Sequence, residues 1–551
     1  MAKKLYNGCM NEPQIEEDAL KTLRKVFEQV GGWPVLEGSK WKEEDFDWVN
    51  ATYKLRDLGY HSGVFVNLII TYVAEEHHHL LELYYGDYPN EDLQAMTEMI
   101  MKFEPHSRED VVKELESAYQ VSKALEQLWL DTYDSKVLTV EQLQEKVPAV
   151  DWLEYINHMA EPAVQLTKDD KVSVLMHYLP PLIKLISRTP KRDLANLMMW
   201  KVMEAVLPYF KDHTVNPKFG RDMCRTRARF CAEEIEKKFF PRPIEIIYTR
   251  KYLSREKKNR IEEMANSMKT ILVEMINNAE WLVDAGKKEI LEKFKTLKIQ
   301  IGLPGDYFDD KIFDYADVDL VDVKNGTFFD LLAAAKRNLK TSEYRLVKKS
   351  EDNLPSLYHS LANSYGYHYL ENLIHVPADR TRNMVYDESI PEYINYGIMG
   401  MILGTYANEV LCVGCLDKYS EKAAELFDIK RECVQKRWGS IKMYEWDLND
   451  VLAKNVAQQV VYEAYQKYVK ANGEEQRLAA VDYTPNQLFW ISTAFRQCRP
   501  IGPTYHWYEE NLDKTSVYEV NNPISWNYKF LEDFKCSETS RMKPADNCKV
   551  F

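Results

Sequence analysis

Residues 395–410 read NYGIMGMILGTYANEV. Thr405 and Glu409 stand at i and i+4 in this stretch, so on a helix both side chains project from one face. They offer one neutral hydroxyl and one hard carboxylate, short of the three N, S or O protein ligands that a catalytic metal ion takes. Tyr406, beside Thr405, cannot serve as a carboxylate base. With an unperturbed pKa of about 10, a phenol donates a hydrogen bond at neutral pH.

The neighbouring text gives this stretch its frame. Downstream come NDVLAK at 449–454 and VYEAYQKYVKANGEE from Val461. Upstream come NLIHVPA from Asn372, WLVDAGKKEILEKFKTLKIQIGLP at 281–304, AVDWLEYIN at 149–157, GGWPVLEG from Gly31 and YNGCMNE from Tyr6, and the chain ends in CKVF. Together these resemble the neprilysin and endothelin-converting-enzyme family of zinc metallopeptidases over nearly the whole chain. In that family Asn-Tyr-Gly, a spaced Gly and an apolar pair run into Gly-His-Glu-x-x-His, whose two His hold zinc while the Glu activates the bound water. Gly286 stands where the family usually has Thr.

The resemblance places the lost chemistry residue by residue. The two His positions fall on Thr405 and Glu409, and the Glu position on Tyr406. The third zinc ligand falls on Asp450, and the Asp that orients the first His falls on Lys454, a cation where an anion is needed. The His that stabilises the tetrahedral intermediate corresponds to Asp513, and a nearby Arg to Glu519. The substrate-binding Asn-Ala pair falls on Ser364 and Tyr365, although a one-residue slip would restore Asn363. The resemblance therefore implies a pseudopeptidase, that is, a peptide-binding, decoy or scaffold protein with zinc absent. The alternative is a metalloendopeptidase whose site is rebuilt around Glu409 and Asp450 for Mg, Ca or Mn, or around Tyr406 as an acid; two carboxylates are few for an oxygen cage. A chain decaying without a selected role reads the same way as the first. Asp450 and Lys454 share a helix face, and the resemblance sets Glu409 opposite them. The Lys454 ammonium is thus expected between the two carboxylates, within about 4 Å of at least one.

Composition bounds the partners. With 551 residues, 45% apolar and 12% aromatic, the chain can bury large cores in two to four domains. A net charge of −14 disfavours nucleic acid and anionic membrane surfaces. No apolar run reaches the roughly 18 residues needed to span a bilayer, and the first residues lack a signal-peptide h-region. The family carries an upstream anchor or signal peptide, so the resemblance implies an extracellular or plasma-membrane ectodomain, either truncated or lacking its upstream segment. Small peptides are the expected partners, and a homodimer is compatible with the family.

Nine cysteines are present. By resemblance Cys9 pairs with Cys231 and Cys433 with Cys548, which implies an oxidising compartment. Cys498 and Cys536 match positions whose usual partners lie upstream of Met1, and Cys224, Cys412 and Cys415 have no counterpart. Cys412 and Cys415 have redox-motif spacing but follow a helix, so a local disulfide or buried thiols are expected. Asn50 and Asn325 head N-x-S/T sequons.

The fold expected is mainly α, with two helical lobes around a central chamber and a thermolysin-like C-terminal lobe bearing a short β-sheet. Ile261, Met264, Met268, Ile271, Leu272 and Met275 recur at helical spacing and read as core. Gly-Leu-Pro-Gly at 302–305 ends the first lobe, which gives a helical lobe at 1–305, connecting segments at 306–361, and the former catalytic domain at 362–551. His77, His78 and His79 read as a polar surface turn, since adjacent residues diverge too far to chelate one ion.

Overall fold

The computed structural model describes the chain apart from residues 1, 74–75, 77, 88–92, 104–106, 130–134, 211–225, 237–240, 283, 304, 312–325, 346, 348–365, 369–371, 383–384, 412–420, 439–444, 496–519, 544–547, 549 and 551. It is mainly helical and divides into two compact units, Met1–Ile244 with Phe313–Leu357, and Glu245–Ile312 with Tyr358–Phe551. Among the described residues no helix is long and apolar enough to cross a membrane.

In the first unit, helices start where the sequence supplies an oxygen for their free N–H groups. Asp47 accepts from the Asn50 N–H at the head of Trp48–Leu58, and a reciprocal Thr327–Asp330 capping box opens Phe328–Tyr344. Gly59 ends the former helix at φ +79°, and a Cβ there would lie 2.3 Å from the Ala333 carbonyl oxygen. Only glycine permits that approach of the two helices. A four-stranded sheet runs in the order Val66–Val73, His78–Tyr85, Lys171–Val174, Lys136–Thr139, with the middle pair parallel. Tyr344 donates to the Leu68 carbonyl at 2.8 Å and ties the last helix to this sheet. Trp33, Trp152, Trp200 and Tyr155 are fully buried in the core. The Cys9–Cys231 disulfide joins the helices Ala2–Met10 and Arg227–Glu234, with Cα atoms 5.8 Å apart.

The second unit is built on the helix Glu445–Asn472, against which Arg255–Asn278, Met401–Leu411 and Glu421–Trp438 pack. Its sheet has three short strands in the order Lys298–Ile301, Leu373–Val376, Gly366–His368, the first pair parallel and the second antiparallel. Tyr465 stacks on Phe489, and Tyr462 on Trp490. The Asp533 carboxylate gathers the Trp490 indole N–H (2.8 Å), the Tyr462 hydroxyl (3.0 Å) and the Asn486 amide (3.1 Å). Cys433–Cys548 closes this unit, with Cα atoms 5.6 Å apart.

Several expectations need correction. The chain does not change unit at 305: residues 245–312 belong to the second unit, because Arg255–Asn278 buries Ile261, Met264, Met268, Ile271 and Leu272 there. Met275 lies half-buried as the apolar stripe drifts to Ile276. The span 306–361 is not all connection, since Phe328–Tyr344 is a 17-residue helix of the first unit. His78 and His79 lie in a strand rather than a surface turn. His79 is buried edge-on to Tyr72 one strand away, and the alternation of a strand turns the two imidazoles to opposite faces. The first unit's sheet was not anticipated either.

Candidate functional site

The stretch 395–410 begins as the short helix Glu392–Asn395, passes through a π-helical turn at Tyr396–Gly400, and continues as Met401–Leu411. Buried Asn395 fixes its start: its side chain accepts from the Asp387 N–H (3.1 Å) and donates to the Asp387 carbonyl (2.9 Å). The Glu475 carboxylate accepts from the N–H groups of Glu392 and Tyr393 at 2.8 and 3.2 Å, where a helix N-terminus favours negative charge. Burial raises the pKa of Glu392, with the Tyr386 hydroxyl opposing the shift through its hydrogen bond and Glu475 adding to it.

The three glycines of the frame have a packing cause. A Cβ on Gly397 would lie 1.7 Å from Ser492 Oγ and 2.8 Å from the Phe489 carbonyl oxygen; on Gly400, 2.6 Å from Val461 Cγ1; on Gly404, 3.1 to 3.2 Å from Ala457, Val461 and Met268. Bare backbone on this face lets the helix seat against Pro485–Thr493, Glu445–Asn472 and the methionine stripe. That requirement stands whether or not a reaction takes place.

Among the described residues, the side chains at the positions that the family resemblance singles out lie against protein partners. The Thr405 hydroxyl donates to the Met401 carbonyl one turn back, at 2.8 Å. Tyr406 is buried, with its ring against Gly366. Glu409 Oε2 accepts from the Tyr367 N–H at 3.0 Å. Although Glu409 is open to solvent on its outer side, loss of surrounding water raises its pKa; the Tyr367 hydrogen bond opposes this and the charge of Asp450 adds to it. On the facing helix Lys454 Nζ lies 2.7 Å from Asp450 Oδ2.

The ion pair expected of Lys454 therefore forms with Asp450, its neighbour one turn back. Glu409 instead turns to a backbone amide. Neighbouring Asn408 is buried and donates to the Ala453 carbonyl, which joins the two helices directly. Farther along, Arg431 Nε donates to Asn449 Oδ1 at 3.0 Å. Sequence reasoning missed Tyr367, Asn408 and Arg431. Their partners are 18 to 45 residues away in the chain, and no local pattern signals such contacts.

The donor set does not fit zinc. The hydroxyl of Thr405 is spent on its own helix, the carboxylate of Glu409 on an amide and that of Asp450 on an ammonium, and among the described residues no group of His or Cys joins them. Among the described residues no three of His, Cys, Asp and Glu are grouped as a metal site. Asp513, Glu519, Ser364, Tyr365 and Asn363 lie outside the described residues, as do Asn325, Cys224, Cys412, Cys415 and Cys498. Asn50 is exposed on its helix, and Cys536 is a free thiol.

Comparison with known proteins agrees with this architecture. The chain is 22% identical to Neprilysin-2 of Drosophila melanogaster, covering 99% of this chain and 79% of that protein. It is 24% identical to endothelin-converting enzyme 1 of Bos taurus, covering 100% and 79%. Its fold superimposes on the Mycobacterium tuberculosis zinc metalloprotease Zmp1 in its open state with a TM-score of 0.74 at 14% identity, covering 99% of this chain and 90% of that one. The two sequence profiles of peptidase family M13 match residues 1–304 and 416–550, and with the frame of 395–410 between them the chain belongs to peptidase family M13, the family of neprilysin and endothelin-converting enzyme.

Proposed function

We propose that this chain is a neprilysin-like pseudopeptidase, a protein that holds small peptides as a binder, decoy or scaffold and does not hydrolyse them through zinc. One observation carries the reading: Thr405, Glu409 and Asp450, which stand where the metal would be held, are engaged by Met401, Tyr367 and Lys454. Tyr406 lies buried where a carboxylate base would be required. The extracellular or plasma-membrane setting is supported by the two long-range disulfides, which suit an oxidising compartment. A homodimer would be compatible with that setting.

A second reading keeps the chain an enzyme with a hard cation between Glu409 and Asp450. Its support is that the charge of Asp450 reaches Glu409. The Lys454 ammonium opposes it by holding Asp450.

Elemental analysis of the purified protein, run beside turnover of a mixed peptide pool, separates the two. The expected result is substoichiometric metal and no cleavage. About one zinc or other divalent ion per chain, with cleavage lost on chelation, overturns the pseudopeptidase reading.

A further inference from the structure

Among the described residues, the strand Gly366–His368 forms one edge of its sheet and pairs only with Leu373–Val376, in the register Tyr367 to Ile374. In an antiparallel pair alternate residues turn their backbone groups outward, and an outward N–H and C=O are what an extended peptide uses to add as another strand. The outward N–H of Tyr367 is taken by Glu409 Oε2 at 3.0 Å. Gly366, at φ +133°, makes this fit possible. A Cβ there would meet Glu409 Oε2 at 3.4 Å and the Tyr406 ring at 3.7 Å, ordinary contact distances, so it is the backbone conformation rather than space that calls for glycine where the strand meets the carboxylate.

We propose that Glu409 is an internal plug of this strand edge, occupying the amide donor that an incoming extended peptide would need. Peptide held by this chain must then either displace the Glu409 carboxylate or bind without the Tyr367 amide. An uncharged extended peptide gains most from removal of the plug, because it brings a backbone acceptor of its own and no charge for Glu409 to attract or repel. The inference rests on the reading of Glu409 as a group that holds no metal.

The test is made on the full chain, with metal content measured on the protein as purified and a chelator added only afterwards, for the exchange and probe-binding measurements. The probe is a fluorophore-labelled, end-blocked hexapeptide of alternating threonine and valine. Loss of a hydrogen bond to a charged acceptor should speed exchange of the Tyr367 amide about 10 to 100-fold in Glu409→Ala, and tighten the probe by a comparable factor. Glu409→Lys, which keeps a long side chain with no acceptor, should behave as the alanine variant does. Glu409→Gln, whose amide oxygen still accepts, should behave as the parent. Tyr367→Pro added to Glu409→Ala should abolish the gain, since proline has no N–H and is tolerated where that group faces outward from an edge. Unchanged Tyr367 exchange in both Glu409→Ala and Glu409→Lys, or a probe gain that survives Tyr367→Pro, overturns the plug. Metal bound stoichiometrically by the parent chain would instead overturn the pseudopeptidase reading, so the two failures are distinguishable.

Discussion

Lys454 and Glu409 show how one altered position constrains another. Asp450 precedes Lys454 by one helical turn, the favourable order for an ion pair, and that pair engages the carboxylate that the family resemblance sets at the third ligand position. Restoring the helix alone should therefore fail. Thr405→His, Tyr406→Glu and Glu409→His together are expected to give weak zinc binding and little hydrolysis, because Lys454 still repels the ion and misorients the restored first His. Adding Asp450→Glu and Lys454→Asp should raise zinc affinity about 10 to 100-fold, the usual scale for groups that orient metal ligands. Chelator competition measures this, and a triple variant equal to the quintuple one would show that Lys454 is irrelevant. Positions 405, 406, 409, 450 and 454 were singled out in the sequence by resemblance to a family motif. The Glu409 to Tyr367 bond was not, since it depends on where a strand 42 residues away comes to rest.

At the scale of elements, the glycine frame converts a sequence signature into a steric one, and the distances rank the consequences. Gly397→Ala presses its Cβ on Ser492 and on the Phe489 carbonyl, a backbone atom that cannot step aside. It should cost about 2 to 3 kcal/mol, the upper part of the overpacking range. Gly400→Ala meets one methyl of Val461 at 2.6 Å, which a rotamer change relieves in part, for about 1 to 2 kcal/mol. Gly404→Ala meets three side-chain atoms no closer than 3.1 Å, and the roughly 1 kcal/mol that alanine gains over glycine in a helix should nearly offset it. Urea unfolding of the three variants tests the order, and a Gly404→Ala change larger than Gly397→Ala would contradict it. The methionine stripe was legible as core from its period, and Met264 and Met268 do lie against this helix. The hairpin of the first unit was missed where consecutive histidines suggested a turn. Their immediate neighbours, Leu80 to Tyr85 and the β-branched run from Val66, carried the strand signal.

Across the whole molecule, chain order misleads where contacts decide. Gly302 and Gly305 both take positive φ, yet the helix before them and the strand Lys298–Ile301 belong to the second unit. A linear reading cannot see that Lys298–Ile301 pairs in parallel with a strand some 75 residues later. The disulfides were legible only through the family resemblance, and each proves to lie inside one unit, spanning 222 residues for Cys9–Cys231 and 115 for Cys433–Cys548. Each should contribute about 2 to 4 kcal/mol, and the near doubling of loop length should make the first worth about 0.6 kcal/mol more in chain entropy. Because the crosslinks share no residues or unit, Cys9→Ser with Cys231→Ser should loosen amide exchange in the first unit and leave the second as it was. Cys433→Ser with Cys548→Ser should do the converse, and the losses should add within about 0.5 kcal/mol. Peptide mapping without reductant should recover both bridges from protein taken from its native compartment. Both pairs found reduced there would move the protein to the cytosol, and loosening of both units by either double variant would show that the division at 244 and 312 is not a division in stability.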